Sequence, residues 1–390
     1  MKTLKEMWEE HHYMNLLGLK IYDEVSEECE QFSNGFHYTT LETFWNMVKS
    51  DLMFARNVRF SNDSEEYKLG EKIINEILLM PNEEEQDLYM ICFCTEKNLL
   101  SQWREYAKNG VCLGFDLAEE DYYSIRNTSQ TEELLKTDSY FKDYEKYGIP
   151  AHGRYDKEKW VYTYAKLLKV FYVGEKYDEI KLKYKKINDM LTDDELPADK
   201  FMHYMIPYIK HKGFKEESEA RLIFKLENQN REYQVNYLEE DGLKKPYIKL
   251  EFGKIEEKKQ EKCIIKIDHI GEFSAEFQDY VQTIEEDLDL TIDIENVNEH
   301  TNGQIIIGCC KKQQEIFERL DAVVSAWNYS NPKRKIKLWC KGHLPIREIM
   351  VGPGPNKNEV RESIQHYIRN VYWLKYVDVE CSDIPYREKK

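Results

Sequence analysis

Ahead of Gly35 the apolar positions Trp8, Leu16, Leu17 and Leu19 are scattered through polar, helix-prone sequence, which predicts an N-terminal helical arm over 1–34. From Gly35 the pattern tightens. Phe36–Thr39 reads as a short strand, Leu41–Lys49 carries Phe44, Met47 and Val48 at helical spacing, and Leu52–Phe54 is extended. Leu88–Cys94 alternates, with Tyr89, Ile91 and Phe93 on one face and Cys92 and Cys94 on the other, and Val111–Phe115 is a second apolar run. Both predict strands. Between them Leu99–Tyr106 predicts a helix centred on Trp103 and stopped by Asn109-Gly110.

Further on, Leu167–Val173 and Arg221–Lys225 read as strands, and Phe201–Lys212 as a helix with Met202, Met205, Ile206 and Ile209 along one side. The last third alternates regularly: strand Ile305–Cys309, helix Gln313–Trp327, strand Ile346–Val351, helix Glu359–Ile368, strand Tyr376–Glu380. Polar stretches near 118–160, 184–200 and 228–300 predict insertions on the rim. Short early strands interrupted by long insertions favour an α+β fold with a mixed central sheet, arranged as one elaborated domain over 35–388 behind the arm.

Composition narrows the partners. Hydrophobic residues at 41% with 13% aromatic supply a core, which a disordered chain lacks. A formal net charge of -17 repels phosphate backbones and anionic membranes, so duplex DNA is disfavoured, although the segment Lys166–Lys186 and the C-terminal Arg387-Glu-Lys-Lys are locally basic. No apolar run approaches the ~20 residues needed to span a bilayer, and the N-terminus shows no signal-peptide pattern, so a cytoplasmic location is expected. The nine cysteines lack the spacing of a disulfide scaffold and read as reduced thiols, mostly in the core.

Five ordered segments carry a family resemblance. They are Phe36-His37-Tyr38-Thr39; Phe60-Ser61-Asn62-Asp63-Ser64-Glu65; Ile91-Cys92-Phe93-Cys94 with Ser101-Gln102-Trp103-Arg104-Glu105-Tyr106-Ala107; Lys212-Gly213-Phe214-Lys215-Glu216-Glu217-Ser218-Glu219-Ala220-Arg221; and Ile346-Arg347-Glu348-Ile349-Met350-Val351-Gly352-Pro353 with Ser382-Asp383-Ile384-Pro385-Tyr386-Arg387. In this order they resemble the bacterial family called domain of unknown function 2971. The chain departs from that pattern in its large insertions and at Cys94, where a serine is expected.

The first segment also resembles the opening strand of ADP-ribosyltransferases, in which a His-x-Thr-like strand precedes a helix and a catalytic glutamate follows on a much later strand. That resemblance implies an ADP-ribosyltransferase-like core with NAD as substrate. Cleaving the nicotinamide–ribose bond builds positive charge on the ribose, and a carboxylate fixed in a poorly solvated cleft stabilises it. Glu219 or Glu217 would be that group, since two residues apart on a strand they face the same side. His37 would bind a ribose hydroxyl with Thr39 beside it and Tyr38 facing the other way. Arg56 or Arg59 would hold the pyrophosphate bidentately, and Trp103 or a nearby tyrosine would stack on nicotinamide. Asn62, Asp63 and Arg221 complete the expected binding set.

Each of these residues also has a plain structural reading. His37 at a strand start serves equally as a hydrogen-bonded structural residue, Asn62 and Asp63 as turn and helix cap, and Trp103 as core. Glu216, Glu217 and Glu219 read alternatively as a solvated charge run partnered by Lys215 and Arg221. Against that, the cluster runs straight into the apolar Ala220–Phe224, where a buried carboxylate requires a partner or a task.

Other chemistries have less support. Gly352-Pro353-Gly354-Pro355 lacks the lysine and spacing of a phosphate loop, and no Gly-x-Ser-x-Gly elbow is present. The cysteine and histidine spacings fit no zinc site, so no metal is expected. The leading expectation, implied by these resemblances, is an NAD-using ADP-ribosyltransferase or NAD glycohydrolase, with the family resemblance implying a phage-defence or toxin effector that has a protein or RNA acceptor. A non-catalytic nucleotide- or protein-sensing module and a nucleic-acid-processing enzyme are the alternatives.

Overall fold

The computed structural model describes residues 34–60, 64–78, 87–117, 122–126, 160–165, 167–174, 181, 182, 184–186, 188, 189, 202–226, 235–240, 242–252, 263–268, 274–288, 292–296, 302–307, 313–332 and 335–385. The expected arm over 1–34 lies outside them except for its last residue, as do most of the 118–160 insertion and the Asn62-Asp63 turn.

The chain opens with β1 (Asn34–Thr39), α1 (Leu41–Ser50), β2 (Met53–Asn57), α2 (Ser64–Leu78) and β3 (Leu88–Cys94). It continues through α3 (Leu100–Glu105), β4 (Val111–Asp116), β5 (Tyr122–Arg126), β6 (Trp160–Tyr164), β7 (Leu168–Lys169), β8 (Phe171–Val173) and β9 (Ile209–His211). β10 (Glu219–Lys225), β11 (Asn236–Glu240), β12 (Leu243–Phe252), β13 (Cys263–Asp268), α4 (Ser274–Leu288), β14 (Ile292–Asn296) and β15 (Asn302–Ile307) follow. The chain closes with α5 (Gln313–Ser330), β16 (Leu338–Cys340), β17 (Ile346–Val351), α6 (Lys357–Ile368) and β18 (Asp378–Cys381). Helices with mixed, largely antiparallel sheet make the fold α+β, as the short early strands interrupted by long insertions predict.

Where the sequence suggests one elaborated domain, contacts gather the chain into two units that each take up several segments. The first holds residues up to His37, then Leu52–Glu105 and Asp116–Glu251; the second holds Tyr38–Asp51, Tyr106–Phe115 and Phe252–Lys390.

In the first unit β3 is the organising strand. Its run Leu-Tyr-Met-Ile-Cys-Phe-Cys is almost wholly buried, which requires cover on both faces and partners on both edges. β10 pairs antiparallel along its whole length, from Glu219 opposite Cys94 to Lys225 opposite Leu88. The other edge is shared by β2, at Met90 and Tyr89, and β1, where Phe36 faces Cys94. β12 then adds to β2, and β11 to β12. One face of this layer is closed by α2, the 206–208 turn and their neighbours, through Ile73, Ile74, Met90, Met202, Met205, Ile206, Tyr208 and Ile223.

Two expectations are corrected here. The helix expected over Phe201–Lys212 breaks into a short helical turn, a 3-10 turn at Ile206–Tyr208 and the strand β9, because Pro207 has no amide hydrogen to continue an α-helical ladder. The stretch 228–300 is not all rim insertion: β12 buries Ile248, Leu250 and Phe252 on one face, and their strict alternation with Tyr247, Lys249 and Glu251 is the strand signature.

The second unit pairs β17 with β18 in parallel and with β4 antiparallel, and sets the antiparallel sheet β14-β15-β13-β16 beside α4 and α5. α1 starts where the Thr40 hydroxyl accepts from the Thr43 amide and stops at Asp51, whose left-handed backbone (φ 54) returns its amide to the Met47 carbonyl. Ser382 is fully buried and its amide donates to the Val351 carbonyl, docking the C-terminal segment on β17. Among the described residues no helix is long and apolar enough to cross a membrane.

Candidate functional site

The chemically densest place in the first unit begins at the turn before β10. His211 accepts the Gly213 amide through its ring and opens a 3-10 turn over Lys212–Glu217. Ser218, left-handed at φ 46, closes that turn and aims the chain into β10. Glu219 and Arg221 then fall on one face of the strand, two residues apart, and are buried. Lys210, buried on β9, points into the same space.

These side chains saturate one another. Arg221 donates from Nε to Glu219 Oε1 at 2.7 Å and from Nη2 to Glu219 Oε2 at 2.9 Å. Its Nη2 also reaches Glu66 Oε1 of α2 at 2.5 Å, and its Nη1 donates to the Pro207 carbonyl. Lys210 Nζ donates to Glu219 Oε2 at 2.6 Å and Glu217 Oε2 at 2.8 Å, with Glu66 Oε2 at 3.8 Å. Tyr172 of β8, opposite Lys210 in register, accepts the Glu219 amide on its hydroxyl at 2.8 Å. Three carboxylates thus surround two cations, in ion pairs that burial strengthens and makes costly to break.

The proton affinities follow from that arrangement. Burial by itself raises the Glu219 pKa, but Arg221 and then Lys210 overturn it and hold the carboxyl down at about 2. At Glu66 burial wins and the pKa is raised despite the same two cations. Burial lowers the Lys210 pKa, yet Glu219 and Glu66 outweigh it and keep the ammonium charged well past its ordinary range. Burial pushes the Tyr172 phenol up to about 12, so it stays neutral at physiological pH.

The expected pair of His37 and Glu219 is not assembled. Directly opposed residues of antiparallel strands share a face. Phe36 faces Cys94, so the next residue, His37, shares the face of Phe93, and its ring lies 5.7 Å from the Phe93 ring. Glu219 faces Cys94 and Arg221 faces Cys92, which puts the ionic cluster on the other face. His37 Nδ1 instead donates to the Cys92 carbonyl at 3.0 Å, and burial lowers the imidazole pKa. It acts as a half-buried structural histidine.

Other expected binding residues are also placed elsewhere. Trp103 is buried and donates from Nε1 to Asn98 Oδ1 at 3.0 Å, a core indole with no face to offer nicotinamide. Arg221 is enclosed by carboxylates and cannot serve a pyrophosphate. Tyr38 and Thr39 belong to the second unit and are buried. Arg56 is exposed but holds Glu240 bidentately, at 2.9 Å through each of Nη1 and Nη2. Arg59 lies over the Tyr67 ring at 5.6 Å. Asn62 and Asp63 fall outside the described residues.

Glu217 does meet Glu219, by a route the sequence did not suggest: it ends the 3-10 turn instead of lying on the strand, and the two carboxylates converge on Lys210. Glu66 and Lys210 were missed. The available signal was a lysine directly after the apolar run Met205-Ile-Pro-Tyr-Ile209, where burial demands a carboxylate partner.

Beside the cluster, Glu66, Arg221, Pro207 and Met90 bound a cavity of about 10 Å³, room for roughly one water molecule. Among the described residues no three His, Cys, Asp or Glu side chains come together as a metal-ligand set. The cluster ties β10, β9 and α2 together, with Glu217 as its outer member.

No curated protein and no solved structure matches the chain. Residues 102–222, which carry Trp103, Tyr172, Lys210, Glu217, Glu219 and Arg221, match the family described as Protein of unknown function (DUF2971), the same family that the ordered motifs resemble.

Proposed function

We propose that the first unit is a recognition module for a nucleotide-bearing ligand, with the buried ionic cluster as its rigid support and an open sheet face as its reading surface. The observation that carries this reading is the pair Phe54 and Tyr247. Phe54 is 50% exposed, and its ring lies 4.9 Å from that of Tyr247 on the neighbouring strand. Register puts Phe54 and Arg56 of β2, Lys245, Tyr247, Lys249 and Glu251 of β12, and Leu238 and Glu240 of β11 on one face. Three cations stand there against two carboxylates, a local cationic excess in a chain of net charge -17.

Neighbouring aromatic rings on an open sheet, edged by Arg and Lys, suit unpaired bases: rings stack on nucleobases and cations take the phosphates. Glu240 holds Arg56 and Lys245 in place until a phosphate competes for them. The test is calorimetric titration with a short unpaired RNA, ATP and NAD in parallel. Binding of at least one, weakened about tenfold by Phe54→Ala with an unchanged melting temperature, supports the module. Absence of binding to all three overturns it; binding of RNA alone or of the mononucleotides separates the two ligand sources.

A second reading keeps NAD chemistry at Glu217. It is favoured by one feature: this carboxylate is the outermost of the three, its side chain 16% exposed against 6% for Glu219, and it sits on a charged lysine. Nicotinamide release from NAD that is lost in Glu217→Gln with the melting curve intact would support it. Absence of release by the purified wild-type chain removes it.

A further inference from the structure

The second unit contains a hydrogen-bonded chain that the recognition reading does not use. Asp51, at the left-handed end of α1, accepts the Leu344 amide on Oδ1 at 2.9 Å and faces His343 Nδ1 with Oδ2 at 2.9 Å. His343 Nε2 lies 2.7 Å from the Tyr372 hydroxyl. The indole of Trp373 stacks flat on the imidazole, with centroids 5.1 Å apart and planes within 3°. Gln313 Oε1 also accepts from the same hydroxyl, at 3.3 Å.

The chemistry follows from the order of the links. A carboxylate on Nδ1 fixes a hydrogen there, which leaves Nε2 as the nitrogen able to present a lone pair. Asp51 also holds the adjacent backbone, and Trp373 covers the ring face, so the imidazole cannot turn away. The Tyr372 hydroxyl thus has two acceptors within reach, His343 Nε2 at 2.7 Å and Gln313 Oε1 at 3.3 Å, and the imidazole nitrogen is the nearer. An orienting carboxylate, an imidazole base and a hydroxyl in series are the logic of an activated nucleophile. The parts come from three separate segments, and the side chains are only partly buried: Asp51 and His343 are 27% and 19% exposed, and Tyr372 is half-buried.

We infer that Tyr372 is a covalent nucleophile, activated by His343 and Asp51, for an electrophilic acyl or phosphoryl group. In the step, the phenolic oxygen bonds to the carbonyl carbon or phosphorus as its proton passes to His343 Nε2. The bond to the leaving group breaks, and the imidazolium returns that proton to the departing atom. Trp373 and Asp51 are positioning residues; Tyr372 and His343 do the chemistry.

The protein supplies its own reference, because Tyr329 is 91% exposed. Treating the full chain with N-acetylimidazole in one arm and a fluorophosphonate in the other, and reading site-by-site modification by peptide mass spectrometry, compares the two phenols. Tyr372 is expected to react at least about tenfold faster than Tyr329 with one reagent or both, and which reagent tells acyl from phosphoryl preference. His343→Gln is expected to drop Tyr372 below Tyr329, and Asp51→Asn to slow it partway. A tie between hydrogen-bonded side chains serving only to brace α1 predicts the reverse order, with the partly buried Tyr372 slower than Tyr329. That result in the unmodified sequence, which needs no variant to fold, overturns the inference, as does fast labelling that persists in His343→Gln.

Discussion

His37 and Glu219 are separated by the width of β3 and by the plane of its sheet, the histidine on the Phe93 side and the glutamate on the Cys92 side. An ADP-ribosyltransferase built on these two residues needs them to grip one ribose. Strand pairing sets them apart, and no rotamer carries a side chain through a hydrogen-bonded layer.

His37→Ala is accordingly expected to lower stability by about 1 kcal/mol, the worth of one hydrogen bond, with nucleotide affinity unchanged. Urea denaturation and calorimetric titration check it together. A tenfold loss of affinity at constant fold would restore His37 to a binding role.

Arg221 bridges β10, α2 and the Pro207 carbonyl, so truncating it leaves Glu219 and Glu66 buried beside each other. Arg221→Ala is expected to cost roughly 3–5 kcal/mol, the usual penalty for orphaning buried charge. The change should appear as a lower denaturation midpoint or loss of soluble protein. Glu217→Gln removes a more exposed partner and is expected to cost no more than about 1 kcal/mol.

Acid stability should report on Glu219. Its folded pKa, about 2, lies below the ordinary value of 4.5, so its contribution is fully present above pH 4.5 and fades as pH falls through 2. The shift corresponds to roughly 3 kcal/mol. Glu66 runs the other way: its raised pKa makes the folded state hold a proton more tightly, so acidification through that pKa favours the fold. Urea denaturation between pH 5 and pH 2 is expected to show a shallower loss in Glu219→Gln than in the unsubstituted chain. Equal slopes would mean the Glu219 carboxyl titrates normally.

Gly110 faces backbone at close quarters. A Cβ there would stand 2.1 Å from the Thr39 carbonyl oxygen, a contact that neither partner can relieve by changing rotamer. Gly110→Ala is expected to destabilise the second unit by about 3 kcal/mol or more. Thermal denaturation checks it, and a melting temperature within a degree of the original would show that the two backbones can separate.

Much of the architecture was legible locally. α1 announced itself through Phe44, Met47 and Val48, β3 through its apolar run, and the α5, β17, α6 and β18 succession through regular alternation, because periodic burial is written into neighbouring residues. β12 was equally legible through Ile248, Leu250 and Phe252, but Lys249 and Glu251 between them made the stretch read as solvent-exposed insertion. Pro207 marked the end of helix in plain view.

By itself, the sequence determined an α+β chain with these elements, an acidic surface, and a charged segment at 215–221 that had to be neutralised where it met the core. The partners in that neutralisation were a matter of tertiary structure. Glu66 and Lys210 reach Glu219 and Arg221 from α2 and β9, and Asp51, His343 and Tyr372 meet across nearly the whole length of the chain. The face on which His37 emerges was decided in the same way. A side chain's face depends on strand register, and register is fixed by pairing between distant segments; a shift of one residue would have exchanged His37 for its neighbour and turned it toward the carboxylates.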